Sequence, residues 1–233
     1  MNTHTRPFRH PAARRRAFTL VEVLVVIALI AMLLFLIVPN LKDVMKGSKL
    51  TAAADQFVGD LNLARQVALK ESVPVEVRLY KFFDPMAKEQ RFGAYQCYKL
   101  AQDLNKPSDY TAERIAKPVF EKVKAIQSGV VVVESTQWSP ILTDESMKGD
   151  DKRERVKGLV AGEMDTEAEY RSFIISPEGE TSLDRTGAKQ WYLTMVTEAE
   201  YQRAPDPAAM RPNNFIMIQV DPYTANTRRY MPN

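Results

Sequence analysis

The sequence has very few histidines and cysteines, and this scarcity excludes several kinds of chemistry. The 233 residues include one cysteine, Cys97, and two histidines, His4 and His10. A lone cysteine cannot form an intrachain disulfide, so pairing between chains is the only oxidised state left open. Both histidines precede residue 18, so residues 18–233 lack the usual neutral-pH general base and the histidine ligands of zinc. Ser-His-Asp and Cys-His catalysis are therefore excluded from that part of the chain.

Nucleotide-binding and metal-binding motifs are also missing from the sequence. It contains neither G-x-x-x-x-G-K-[ST] nor G-x-G-x-x-G, the glycine-rich patterns that surround phosphates. The acidic residues between positions 144 and 151 offer the oxygen ligands that calcium prefers, but their spacing matches no calcium loop. We therefore predict a protein that is not an enzyme and that has no metal or other cofactor.

The surplus of positive charge is confined to the start of the chain. The formal net charge of the whole chain is +3. Five arginines and no acid precede residue 18, and without them 27 basic residues face 29 acidic ones, a net charge of −2. Such a balance gives no support to general binding of nucleic acid or another polyanion.

One long apolar run, residues 18–38, dominates what the sequence does contain. Only Thr19 and Glu22 are polar among its 21 residues. At ~1.5 Å per residue a helix of this length spans about 31 Å, enough to cross a bilayer. The run is too long for a cleaved secretory signal. An ordinary membrane anchor leaves Glu22 without a role, because an ionised carboxylate costs ~2.5–3.5 kcal/mol at mid-bilayer.

The basic leader followed by Phe-Thr-Leu-Val-Glu and an apolar helix resembles the class III signal of type IV pilins and type II secretion pseudopilins. The resemblance implies that a prepilin peptidase cuts between Ala17 and Phe18 and then N-methylates the amine of Phe18. Ala17 stands where most of the family has glycine. The resemblance also implies roles in assembly for Glu22 and for Pro39, which lies near the end of the apolar segment as in related helices.

This resemblance, together with the charge pattern, predicts where the protein lies and what it contacts. Arginines before the apolar run predict a single-pass protein of the inner membrane, with a cytoplasmic N-terminus and an extracytoplasmic, periplasmic head. The expected partners are the prepilin peptidase/methyltransferase, other pilin or pseudopilin subunits, and the inner membrane. We predict a leader at residues 1–17, a transmembrane and assembly helix at 18–39, and the head at 40–233.

After Pro39 the apolar residues adopt helical spacing. We predict one helix from about residue 18 to residue 70, bent at Pro39, with an amphipathic second half over residues 41–70. Arg65 lies on its polar face, where it either binds an acidic loop or is solvated. The apolar stripe of this second half begins at Leu41 and continues through Ala54, Phe57, Val58, Leu61, Ala64 and Ala68.

From residue 71 the pattern changes to strands and turns, so residues 71–233 are predicted to be β-rich. Val75, Val77 and Leu79 alternate with Glu76 and Arg78, which predicts a strand with its apolar residues inward and its charged residues outward. The acid-rich stretch 143–169 lacks aromatic residues and predicts a long solvated loop. Further strands are predicted at residues 91–100, 119–123, 130–134, 170–176, 190–197, 214–220 and 227–230.

Residues 47–80 resemble particular families among the pilin-like proteins. A helix carrying Ala-Arg-x-x-Ala, then a short break and a strand opening Val-Pro-Val, is similar to H-type minor pseudopilins and FimT-like minor pilins. The same stretch is more closely similar to the Verru_Chthon cassette protein D family of prepilin-like proteins. Strands that follow one another without further helices predict an α+β fold, a long N-terminal helix packed on an antiparallel β-sheet. Asn226 replaces the glycine of related families and is predicted to adopt the left-handed conformation before the last strand.

These observations predict a structural subunit, a minor pilin or pseudopilin of a type IV pilus or type II secretion-like filament. Two alternatives stay open. One is a minor pilin that binds DNA, because Arg228 and Arg229 with Tyr230 resemble the arginine-bearing C-terminal motif of FimT-like proteins, and guanidinium groups with an aromatic ring suit phosphate and base. The other is a plain membrane-anchored extracytoplasmic protein that keeps its leader.

Overall fold

The computed structural model describes seven stretches of the chain and divides it into two units. The described residues are 19–85, 87–100, 116–144, 153–160, 165–186, 189–203 and 210–232, without the side chains of 35–46. The units are Met1–Val44 and Met45–Asn233. We call the second the larger unit and describe each unit by itself.

The helices of the described residues are one long and two short ones. Helix α1 covers Leu20–Glu71, which agrees within two residues with the predicted helix of residues 18–70. Its backbone is helical at position 39 as well, and a bend at Pro39 stays a prediction. The short helices α2, Pro140–Thr143, and α3, Glu198–Arg203, were not predicted from the sequence.

The strands form two antiparallel sheets where the sequence predicted one. Sheet A has the order β3-β2-β1-β7-β6, with β4 also paired to β2, and sheet B has the order β10-β9-β8-β5. In sheet A the strands are β1 Val75–Asp84, β2 Glu89–Leu100, β3 Ala116–Pro118, β4 Lys124–Ala125, β6 Arg153–Val156 and β7 Thr166–Ile175. In sheet B they are β5 Val130–Val132, β8 Trp191–Thr197, β9 Phe215–Val220 and β10 Thr227–Tyr230.

Two of the predictions for the β-rich part are wrong. The strand expected at 119–123 is absent there, because the chain pairs with β2 just before and just after this stretch, through β3 and β4. The stretch 143–169 is not one long loop, since it contains β6 and the first residues of β7. These strands are held by pairing with other strands and not by a strong strand propensity of their own, so local polarity gave no sign of them.

The main core of the larger unit lies between α1 and the two sheets. The predicted stripe is confirmed from Ala54 onward, since Ala54, Phe57, Leu61, Ala64 and Ala68 are each at most 2% exposed. They pack in one cluster with the inner side chains of both sheets. Val58 is half-buried, and the side chain of Leu41 lies outside the described residues. The structure is therefore α+β, with the helix packed on antiparallel sheets as predicted.

Tyr95 of β2 joins the helix to sheet A in two ways. Its ring meets that of Phe57 edge to face with centroids 4.8 Å apart, and its hydroxyl donates to Asp60 Oδ2 at 2.7 Å. Burial, and then the hydrogen bond to Asp60, raises the pKa of Tyr95. The hydroxyl therefore stays protonated and able to donate.

The last turn of the chain differs from its prediction. Ala225, and not Asn226, has the positive φ, at 53°. Ala225 is nearly fully buried, and its N–H donates to the carbonyl of Asp221 at 2.9 Å. Core packing of a small methyl group and this hydrogen bond therefore decide which residue takes the left-handed conformation.

Candidate functional site: the N-terminal segment and the head

The start of α1 has the geometry of a capped helix. The N–H of Glu22 donates to Thr19 Oγ1 at 3.2 Å, and the N–H of Val23 donates to the carbonyl of Thr19 at 3.2 Å. A threonine cap followed three residues later by glutamate is a common helix-start pattern, and a carboxylate in the first turn is favoured by the helix dipole. Glu22 thus lies in the first turn of a helix that Thr19 caps, where its carboxylate suits the helix dipole.

The apolar run is exposed wherever its side chains are described. Every side chain from 20 to 34 is classed as exposed, from Val23 at 47% to Leu20 at 80% among the large apolar ones. A continuous apolar surface of this kind marks a site of contact with lipid or with another protein. The apolar surface extends around the helix and is not limited to one stripe, so it offers contacts in every direction.

Several predicted site residues lie partly or wholly outside the part of the chain that the structure describes. Ala17 and Phe18, the residues of the predicted cleavage site, are outside the described residues, and so is the side chain of Pro39. Within the described part of the chain, no helix combines the length and the apolarity that a membrane crossing needs.

The two C-terminal arginines lie next to each other on β10, where consecutive side chains point to opposite faces. Arg229 forms an ion pair with Asp55 of α1. Arg228 is exposed and has no ion-pair partner among the described residues. The structure therefore does not bring the two guanidinium groups together on one surface.

Arg65 has a partner that sequence reasoning missed. Its Nε donates to the carbonyl of Thr224 at 2.8 Å, in the turn between β9 and β10. Arg65 is half-buried. Its partner is the backbone of this turn, so it is neither paired with an acidic loop nor fully solvated. Because the partner is a backbone carbonyl 159 positions away, no local pattern could have indicated it.

Cys97 is a small buried residue of β2. It is fully buried in the main core and carries a free thiol. Burial, with a smaller effect of the Asp60 charge, raises the pKa of Cys97. The thiol is thus protonated and out of reach of a second chain while the larger unit is folded.

A network of charged and phenolic side chains lies on the other face of sheet A, and sequence reasoning missed it. Glu76 and Arg78 do not point outward to solvent as predicted, since they are 5% and 7% exposed. Arg78 binds Glu76 Oε2 and Glu154 Oε2, each at 2.6 Å. Tyr80 donates to Glu154 Oε1, and its hydroxyl lies 3.1 Å from that of Tyr98. We call these five residues the buried network.

The environment of the buried network shifts the pKa of Arg78 and of Tyr80. Burial acts to lower the pKa of Arg78, but the hydrogen bond and charge of Glu76, together with the charge of Glu154, outweigh it, so the net direction is upward. Burial, followed by the bond to Glu154, raises the pKa of Tyr80. One guanidinium between two carboxylates leaves the network with one excess negative charge.

Comparison with known proteins identifies the N-terminal stretch. Residues 12–38 match a family model described as the prokaryotic N-terminal methylation motif. No curated protein and no solved structure matches the chain. The motif implies a prepilin-like protein that a prepilin peptidase processes, anchored in a membrane with an extracytoplasmic part. Proteins with this motif are typically structural and not enzymes.

Proposed function

We propose that this protein is a structural subunit, a minor pilin or pseudopilin of a type IV pilus or type II secretion-like filament. The observation that carries the proposal is the methylation motif at 12–38, which opens a helix with exposed apolar side chains. The same helix ends in an α+β unit that it helps to hold together. An apolar helix joined to a folded unit suits storage in a membrane followed by packing against other subunits.

Processing would create the charge that assembly needs. Cleavage between Ala17 and Phe18 frees the amine of Phe18, which is then methylated and stays positive. Residues 18–38 would hold the chain in the inner membrane, with the N-terminus in the cytoplasm and the head outside. The partners at this stage are the prepilin peptidase and, later, other subunits of the filament.

Glu22 would then neutralise that amine during assembly. The carboxylate can reach water while the start of the helix lies at the membrane interface. Inside a filament it loses this water and needs a positive partner. The amine of Phe18, on the same or a neighbouring subunit, is four positions before Glu22 in the sequence.

A more specific part of the proposal is that this protein is a minor subunit, present in few copies per filament. The larger unit comprises two sheets and several connecting segments of more than ten residues, such as 101–115 between β2 and β3. Long connections obstruct close lateral packing of many identical copies. A subunit that is present in few copies, or only at the tip of the filament, needs less of this lateral packing.

The first prediction concerns processing. We expect the mature protein to begin at an N-methylated Phe18, because the basic leader and the matched motif meet there. Intact mass and N-terminal sequencing of protein extracted from membranes measure this. Retention of Met1 would mean a plain membrane-anchored protein, and a cut after Pro39 would mean that the apolar run is removed. Either result would end the filament proposal.

The second prediction separates the two roles of Glu22. Glutamine at the third helical position can still support a capped helix start, but it carries no charge. We expect Glu22→Gln to leave cleavage and membrane insertion intact and to reduce incorporation into filaments about as strongly as Glu22→Ala. Fractionation of sheared filaments and cross-linking measure incorporation.

The matched control for this experiment is Glu178→Gln, since Glu178 is an exposed glutamate of the larger unit. It should assemble like the wild type. Wild-type incorporation of both Glu22 variants would mean that Glu22 has no role in assembly.

A further inference from the structure

A second, smaller apolar cluster lies on the face of sheet A that carries the buried network. The sheet supplies most of its buried side chains, which are Tyr80, Phe82, Ala94, Ala168 and Tyr170. Residues 153–160, which comprise β6 and the turn after it, complete the cluster, and we call this stretch the cover segment. Its buried side chains are Val156 and Leu159, at 5% and 9% exposed. The cover segment therefore keeps part of an apolar sheet face out of water.

Few contacts hold the cover segment in place. β6 has four residues and lies at the edge of sheet A, where β7 is its one strand partner in the described part of the chain. Arg153, Arg155 and Lys157 are exposed, and within the described stretches none of their side chains forms an ion pair or a hydrogen bond. Segments with few buried apolar contacts and exposed backbone hydrogen bonds are the ones that open most readily.

Glu154 makes the strongest side-chain contacts of the cover segment. Its carboxylate accepts from Arg78 Nη1 at 2.6 Å and from the hydroxyl of Tyr80. Both partners belong to β1, which is separated from β6 by β7, so this side chain joins the cover segment to the middle of the sheet. Arg78 is itself positioned by the rings of Tyr98 and Tyr170, at 4.6 and 4.8 Å. Charge-assisted hydrogen bonds of this kind are about twice as strong as neutral ones.

The main core does not depend on the cover segment. It lies on the opposite face of sheet A, between the sheet and α1, and it contains no residue of 153–160. Removal of the cover segment would leave β1 paired with β2 and with β7. These strands would also stay packed on α1. The two clusters can therefore come apart separately.

We propose that the cover segment opens and closes as a unit on a larger unit that stays folded, and that Glu154 is the residue that holds it closed. In the open state Tyr80, Phe82 and Tyr170 are exposed beside Arg78, whose guanidinium keeps Glu76 as its partner. The cover segment thus controls access to an aromatic face of sheet A. This inference is independent of the filament role, since it uses only residues of the larger unit.

Hydrogen exchange of the full-length protein in detergent, measured by mass spectrometry, tests the proposal. The quantities compared are the protection factors of peptides from the cover segment and from β8, which lies in the other sheet. We expect the cover segment to be protected at least about tenfold less than β8, because local opening requires less free energy than global unfolding. Equal protection would mean that the cover segment opens only when the whole unit unfolds, and this would overturn the proposal.

Two variants test what holds the cover segment closed. We expect Glu154→Ala to lower the protection of the cover segment by about tenfold or more and to change that of β8 less than about twofold. Gly158→Ala should act in the same direction without removing a group of the buried network. Gly158 has a φ of 76° in the turn after β6, a conformation that strains alanine.

The matched control is Arg155→Ala, which truncates an exposed side chain of the same strand. It should leave both protection factors within about twofold of the wild type. Unchanged protection of the cover segment in Glu154→Ala or in Gly158→Ala would overturn the proposal. An equal loss of protection in β8, or an equal loss in Arg155→Ala, would overturn it as well.

Discussion

Replacing Arg78 with methionine is expected to destabilise the larger unit by ~3–5 kcal/mol, which is a large part of the ~5–15 kcal/mol that holds a typical domain together. The methionine leaves Glu76 and Glu154 without their cation, and their side chains are 7% and 26% exposed. An unpaired carboxylate in such a place costs far more than a lost surface contact. Urea unfolding of a fragment of residues 46–233 measures the change, and we expect that fragment to be soluble and to unfold cooperatively.

Two further variants show whether unpaired charge is the cause. Adding Glu76→Gln and Glu154→Gln to Arg78→Met should recover part of the lost stability, because no buried charge then remains. Arg155→Met, the same change at an exposed arginine of β6, should cost less than ~0.5 kcal/mol. A loss below about 1 kcal/mol for Arg78→Met would mean that solvent screens the network as it screens surface pairs.

Replacing Leu61 with alanine is expected to cost ~2–5 kcal/mol. Leu61 is 2% exposed and packs in the main core between α1 and the sheets. Truncation removes buried methyl groups and leaves a cavity that the surrounding strands can fill only in part. The same urea unfolding experiment measures the effect.

Helix α1 supplies a matched control two positions away. Leu63 is 42% exposed, so Leu63→Ala removes the same atoms from the other side of the helix. We expect this change to stay within ~0.5 kcal/mol. Equal losses for the two variants would contradict the packing of the helix on the sheets through its Leu61 face.

Much of the fold could be predicted because it depends on local and periodic patterns. The spacing of Phe57, Leu61 and Ala64 at three or four positions predicted which face of α1 is buried, and that face is buried. Most strands were predicted from β-branched and aromatic residues between turn residues. The final strand, for example, was predicted at 227–230 and is β10, Thr227–Tyr230.

The errors concern elements that depend on a partner strand or on contacts around a turn. β6 lies in a charged stretch with weak strand propensity and is fixed by pairing with β7, in which Arg155 lies opposite Glu167. The positive φ of Ala225 depends on what surrounds that turn, including the bond from Arg65 to Thr224. Neither signal is present within a window of neighbouring residues.

The sequence by itself determined the parts that chemistry encodes locally: the basic leader, the apolar run with Glu22, the amphipathic stripe, and the lack of histidine after residue 10. Only the tertiary structure determined that Glu76 and Arg78 are buried. Along the strand they alternate with apolar residues, as solvent-facing residues do. The guanidinium of Arg78 lies 4.6 Å from the ring of Tyr98 and 4.8 Å from the ring of Tyr170, and it pairs with Glu154, which is 76 positions further along the chain. A strand pattern separates the two faces of a sheet, but only the packing of distant segments decides whether the second face meets water.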